Sequence, residues 1–305
     1  MLLNERLNLR LNGAEQYINI RSRRDNAPLL VYLHGGPGDA ALPLMLKYNS
    51  ELEKDFTLVV WEQRGAGKSY YKFSQEEYIT IDTFVEDLHQ LILILLERFG
   101  QKKVYLVGHS WGSVLGLHYI QKYPKNVHTY IGCGQVINMI KSCRIAYEYA
   151  MEHADQRTKH RLMQIDPLYT GDNWIRELLF VTKQVVKYKG SLYDKQNYNS
   201  LVLPFLFSKE YSFADLINRQ RGAMQSIAFL WQELMTVNFE TVTSYEVPII
   251  FVEGRHDYHV SSTVVNSYFQ KIESEKRFVW FEHSCHFPQW SESEKFNELM
   301  VELIA

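Results

Sequence analysis

One serine stands where the chain could do chemistry. Ser110 lies in Gly108-His109-Ser110-Trp111-Gly112, a Gly-x-Ser-x-Gly run. The apolar stretch Val104–Val107 precedes it, and an amphipathic stretch through Val114, Leu115, Leu117, Tyr119 and Ile120 follows, stopping at Tyr123-Pro124. The flanking glycines lack the side chains that would clash in a turn tight enough to hold the serine at positive φ with its hydroxyl outward. A serine hydroxyl is a weak nucleophile at neutral pH, so it needs a general base, and the base needs an orienting acid.

Positioning such a group takes a rigid frame, and the order of elements supplies one. Arg6–Leu11 and Tyr17–Ile20 alternate polar and apolar residues around Asn12-Gly13, the pattern of a β-hairpin. The continuous apolar runs at 29–33, 56–61 and 104–107 predict strands covered on both faces, with a further strand over 127–133. Helices are expected over 44–52 and 81–99, the second capped by Thr80 and Gly100. Alternating strands and helices imply a mostly parallel sheet with helices on both faces. Between about 135 and 243 apolar strand runs stop, and four to six helices are expected, among them 144–154, 174–186, 213–219 and 223–235. Strands resume at 247–254 and 276–281, with helices at 263–272 and 287–304. The predicted division is a core of 1–134 plus 244–305 carrying an inserted helical cap, 135–243.

Composition narrows the function classes. The 305 residues are 46% hydrophobic and 22% charged, with a formal net charge of -2. That suits a large globular core and argues against nucleic acid as a partner. Glu5, Arg6 and Arg10 interrupt the start where a signal peptide would be apolar, and the run 91–96 is too short to span a membrane. A cytoplasmic protein is expected, with no membrane partner. Cys133, Cys143 and Cys285 form neither a disulfide framework nor a metal-ligand spacing, so no metal and no cofactor is expected. Gly65-Ala66-Gly67-Lys68-Ser69 lacks the first glycine of a phosphate-binding loop.

The elbow at Ser110 and the order of elements around it resemble the α/β-hydrolase superfamily, which implies an eight-stranded sheet and the chain order nucleophile, acid, histidine. On that resemblance Asp257, just past the strand after the insertion, is the acid, with Glu253 inside the strand pattern as its rival. His286, just past the last strand, is the base, with His283 as its rival. Trp111 and the loop His34-Gly35-Gly36-Pro37-Gly38 are the expected oxyanion donors, through Trp111 and either Gly35 or Gly36. Cys285 reads as packing. An aspartate at position 110 would have pointed to a dehalogenase or epoxide hydrolase, and a non-catalytic binding protein would be expected to lack a triad member.

Three motifs are narrower. His-Gly-Gly-Pro-Gly at 34–38, Glu-Gln-Arg-Gly-x-Gly-x-Ser at 62–69 and Gly-x-Ser-Trp-Gly-Ser at 108–113 are similar to the proline iminopeptidase family of serine aminopeptidases, as is Ser-Cys-His-Phe-Pro at 284–288. The resemblance covers the core and leaves the insertion unmatched. It implies a small-molecule substrate, a short peptide losing an N-terminal proline or other small apolar residue through an acyl-enzyme. It also implies cap glutamates for the substrate ammonium: Glu233 by position, then Glu210 and Glu240. His109 departs from this family and is shared with many esterases, so a carboxylesterase or amidase acting on substrates without a free amine is the alternative.

Overall fold

In the computed structural model, which describes residues 2–304, eight strands form one sheet in the order β1-β2-β4-β3-β5-β6-β7-β8. They are β1 (Leu3–Leu11), β2 (Ala14–Ser22), β3 (Leu29–Leu33), β4 (Thr57–Glu62), β5 (Val104–His109), β6 (Val127–Cys133), β7 (Ile249–Gly254) and β8 (Lys276–Phe281). The pairings β1/β2 and β2/β4 are antiparallel, and the rest are parallel. The hairpin turns where expected, on Asn12 and Gly13 at φ 42° and 87°, the left-handed pair that a two-residue turn demands. Strands β3, β4 and β5 are buried along their whole length, as their unbroken apolar sequence requires.

Helices α1 (Leu42–Tyr48), α2 (Ile81–Phe99) and α3 (Trp111–Lys122) connect the first parallel strands. Two apolar clusters form the core, one built around Val31, Leu106 and Val114, the other around Leu30, Val107 and Phe281. Because side chains alternate across a strand, neighbouring β3 residues Leu30 and Val31 feed opposite faces. Helix α2 has the predicted bounds, with the Thr80 hydroxyl accepting from Thr83 N and Gly100 closing it at φ 62°. Helix α1 is shorter than expected: Asn49 is buried and spends its amide on Gln289 O and Asn297 Oδ1, and a 3₁₀ turn follows.

Five α-helices lie between β6 and β7: α4 (Met139–His153), α5 (Gln156–Leu162), α6 (Trp174–Lys187), α7 (Asn199–Leu206) and α8 (Phe213–Leu234). The expected helices 213–219 and 223–235 are one. Gly222, inside this helix, lets α8 lie against the backbone of Gly65. The stretch between β6 and β7 is tied to the sheet and the loops at its edge by ion pairs Lys68–Asp215 at 2.9 Å, Arg6–Glu210 at 2.7 Å and Arg219–Asp39, and by the Tyr211 hydroxyl donating to buried Glu62. Burial is the main reason the Glu62 carboxyl is pushed up to about 7.

After β7 come α9 (Ser262–Phe269), α10 (Pro288–Ser291) and α11 (Ser293–Glu302). The expected single last helix is split at Glu292, whose carboxylate accepts from His283 N and the Ser284 hydroxyl. No described helix is long and apolar enough to cross a membrane. The carboxyl ends of β3, β5, β7 and β8 open onto one edge of the sheet, where α/β proteins place their sites.

Candidate active site

Ser110 sits at the end of β5 with φ 53° and ψ −119°, a strained conformation for a residue with a side chain. The glycines around it are there for contact. A Cβ on Gly108 would lie 2.5 Å from the Gly112 carbonyl oxygen, and one on Gly112 would collide with the Leu33 carbonyl. The elbow therefore presses directly on β3, and only glycine at both positions lets the serine turn.

The three groups that chain order singled out converge. His286 Nε2 is 2.9 Å from Ser110 Oγ, and His286 Nδ1 is 2.8 Å from Asp257 Oδ2. The carboxylate can only accept, which assigns the Nδ1 proton to the imidazole and leaves Nε2 to receive the serine proton. Asp257 Oδ1 takes the backbone N–H groups of His259 and Val260 at 2.8 and 3.1 Å. Burial alone would raise the Asp257 pKa, but the neighbouring His286 and these donors outweigh it and hold the carboxyl below its ordinary value. Its rival Glu253 is fully buried and spends Oε1 on Gln135 N at 2.8 Å, whereas the base is hydrogen-bonded to Asp257. Burial with so little compensation pushes its carboxyl well above the usual range. His283 is exposed, and its backbone N–H goes to Glu292. Cys285 is buried against the Lys189 carbonyl, a packing role as expected.

Gly36 and Trp111 border the cavity beside Ser110. Trp111 opens α3, where backbone N–H groups have no intrahelical acceptor. Gly36 has φ 127°, and a Cβ there would lie 2.7 Å from the backbone nitrogens of Gly38 and Asp39. Gly35 packs behind, against the His109 ring and Ser110 Cβ. Sequence reasoning missed the residue that joins these parts. Buried Gln63 accepts from the Trp111 indole at 2.7 Å and donates to the His34 carbonyl at 3.0 Å, so one amide fixes both the elbow and the glycine loop. Its neighbour Arg64 is equally structural, forked onto Asp87 at 2.7 and 2.8 Å. The Glu-Gln-Arg motif was visible, but nothing in it pointed to these partners.

The cavity encloses about 90 Å³ and is walled mainly by apolar side chains, among them Val114, Met139, Leu178, Val181, Val185 and Ile227, with Ser110, Ser142, Thr182 and His259 among its polar lining. Among the described residues, none that lines it is Asp, Glu, Lys or Arg. Glu233 is not part of it. Its carboxylate accepts from Ile81 N at 2.8 Å, outside the cavity, so it caps α2. A carboxylate is drawn there because the first N–H groups of a helix are unpaired and carry the positive end of its dipole. Glu210 is paired with Arg6, and Glu240 with Lys141 and Asn138.

Residues 28–293 match the family described as alpha/beta hydrolase fold. The chain belongs to the α/β-hydrolase family. A Bacillus subtilis protein named "Probable aminopeptidase YbaC" is 33% identical over 293 residues, covering 94% of this chain and 92% of that one. A proline iminopeptidase of Saccharolobus solfataricus is 25% identical over 305 residues, covering 97% and 90%. Among solved structures, a proline iminopeptidase of Mycobacterium smegmatis superposes with a TM-score of 0.70 at 16% identity, covering 98% and 97% of the two chains. At that identity the likeness shows the fold alone. This α/β-hydrolase is thus an enzyme similar to the aminopeptidases and proline iminopeptidases.

Proposed function

We propose that this α/β-hydrolase cleaves esters or amides of small, uncharged, apolar acyl groups through an acyl-enzyme on Ser110. The observation that carries the substrate class is the carboxylate-free cavity beside Ser110. His286 takes the hydroxyl proton as Oγ bonds to the scissile carbonyl carbon, and Asp257 stabilises the imidazolium. The oxygen that gains the negative charge is received by the backbone N–H of Trp111 and of Gly36 or Gly35. Collapse of that intermediate breaks the bond to the leaving group, which receives the proton from His286. Water then repeats the sequence, releasing the acid and restoring Ser110.

An N-terminal residue would bring an ammonium group into this cavity. Burying that cation without a counter-charge costs several kcal/mol, and the three glutamates considered for it are engaged elsewhere. The aminopeptidase reading stands second, favoured by the 33% identical relative whose name carries that activity. In either case the helical insertion, 135–243, acts as a cap on a core of 1–134 and 244–305, supplying Met139, Leu178, Val181 and Val185 to the acyl site. Three free, buried cysteines suit a reducing compartment, in keeping with a cytoplasmic enzyme.

The test is hydrolysis of 4-nitrophenyl butyrate, proline 4-nitroanilide and its N-acetylated form, with Ser110→Ala as control. Turnover of the ester and of the blocked anilide, lost in Ser110→Ala, is expected. Turnover confined to the free-amine anilide establishes the aminopeptidase instead.

A further inference from the structure

Three consecutive residues of the insertion reach the loops that carry Asp257 and His286. Lys189 O receives the Cys285 thiol at 3.3 Å, Gly190 O accepts from Tyr258 N at 3.0 Å, and Ser191 O accepts from His286 N at 3.1 Å. Ser191 is fully buried, and its hydroxyl lies 3.0 Å from His259 Nδ1. The His259 ring is stacked on the face of His286, centroids 4.5 Å apart and planes 21° from parallel. Farther out, Tyr149 of α4 stacks on Tyr258 at 4.1 Å and 17°. The strap between α6 and α7 therefore holds the backbone of the base and, through His259, the face of its ring.

We propose that Ser191 and His259 are a positioning pair for His286, so that seating of the insertion and orientation of the base are coupled. The inference rests on Ser110, Asp257 and His286 being the reacting triad. A serine hydrolase needs its imidazole within hydrogen-bond reach of the serine on one side and the acid on the other. Asp257 fixes one edge of the ring, and the stacked His259 fixes its plane. His259 suits the place because it is uncharged. Burial, with the adjacent His286 second, pushes it down to about 3, so it adds no repulsion when His286 becomes imidazolium. The other ionisable groups facing His286 are Asp257 on the acid loop and His109 of the elbow, whose ring centroid is 5.0 Å away. Gly134, at the end of β6, packs on the ring without a side chain.

The experiment follows the rate at which a fluorophosphonate labels Ser110 across pH in the wild type, Ser191→Ala, His259→Ala, His259→Phe and the double variant Ser191→Ala/His259→Phe. Loss of one such hydrogen bond in Ser191→Ala is expected to slow labelling roughly two- to tenfold. His259→Ala should slow it further and move the pH midpoint upward, because water then reaches the imidazolium face. His259→Phe keeps the stacked face but not the hydrogen bond, so it should recover the rate only to about that of Ser191→Ala, and in that background Ser191→Ala should add nothing. A pH midpoint unmoved by His259→Ala, or Ser191 and His259 effects that simply add, would overturn the coupling. A fall in melting temperature alone, with labelling unchanged, would mark the pair as merely structural and overturn it too. Failure of the wild type to label at all would instead remove the triad on which the inference rests, and Ser110→Ala is the control that tells these cases apart.

Discussion

His109 Nε2 donates to the main-chain carbonyl of His286 across 2.9 Å, tying the residue before the nucleophile to the backbone of the base. The ring is buried between Phe287 and Trp290, and burial holds it well below its ordinary pKa, so it serves as a neutral donor. His109→Phe keeps the ring contacts and orphans the carbonyl. A loss of about 1–3 kcal/mol in unfolding free energy is expected, measured by urea denaturation, together with slower labelling of Ser110. Unchanged values in both would show that the bond carries nothing.

Two buried carboxyls at the end of β7 differ in kind, and substitution should separate them. Asp257→Asn removes the acceptor that fixes the His286 tautomer, and kcat is expected to fall by about 10⁴. Glu253→Gln keeps the acceptor for Gln135 N and should leave kcat near wild type. The stability effect has a sign. Because the folded-state pKa of Glu253 is raised, its contribution is present below the unfolded value near 4.5 and lost as pH rises through the folded one. Melting temperature should therefore decline less with rising pH, from about pH 5 upward, in Glu253→Gln than in the wild type. The reverse kinetic ranking would make Glu253 the acid.

The contrast between what could and could not be read along the chain has a physical basis. Helix α2 and strands β3, β6 and β8 were legible to the residue or nearly so, because their apolar spacing and caps are local properties. Ser110, Asp257 and His286 could be named as candidates because the superfamily resemblance supplied the order nucleophile, acid, histidine, and each follows a strand on one edge of the sheet. The break at Asn49, the unbroken α8 across Gly222 and the duties of Gln63 were not, because each depends on a partner far away in sequence. Glu233 shows the same limit in the site itself. A glutamate on an insertion helix looks alike whether it faces a substrate or the end of another helix, and only packing decides.

That decision can be checked kinetically. Glu233→Ala deprives Ile81 N of its acceptor, and a stability loss of about 1 kcal/mol is expected, the scale of a lost helix cap. KM for proline 4-nitroanilide and for 4-nitrophenyl butyrate should both stay put. A rise in KM confined to the free-amine substrate would restore Glu233 as an ammonium ligand.

The wall of the cavity offers a test of where the acyl group lies. Val185 is fully buried on α6 and lines the cavity, so Val185→Ala deepens the site by two methyl groups without touching Ser110, His286 or Asp257. The lost burial should cost about 2 kcal/mol of stability. Against that cost, kcat/KM along a series of 4-nitrophenyl acetate, butyrate, hexanoate and octanoate should shift its optimum to a longer chain. One methylene in an apolar pocket is worth about 1–3 kcal/mol, so the ratio of hexanoate to butyrate should rise at least about tenfold. A chain-length profile that keeps its shape while stability falls would place the acyl group outside this cavity. The absence of carboxylates from its lining would then no longer bear on the substrate's charge, and the aminopeptidase reading would take the lead.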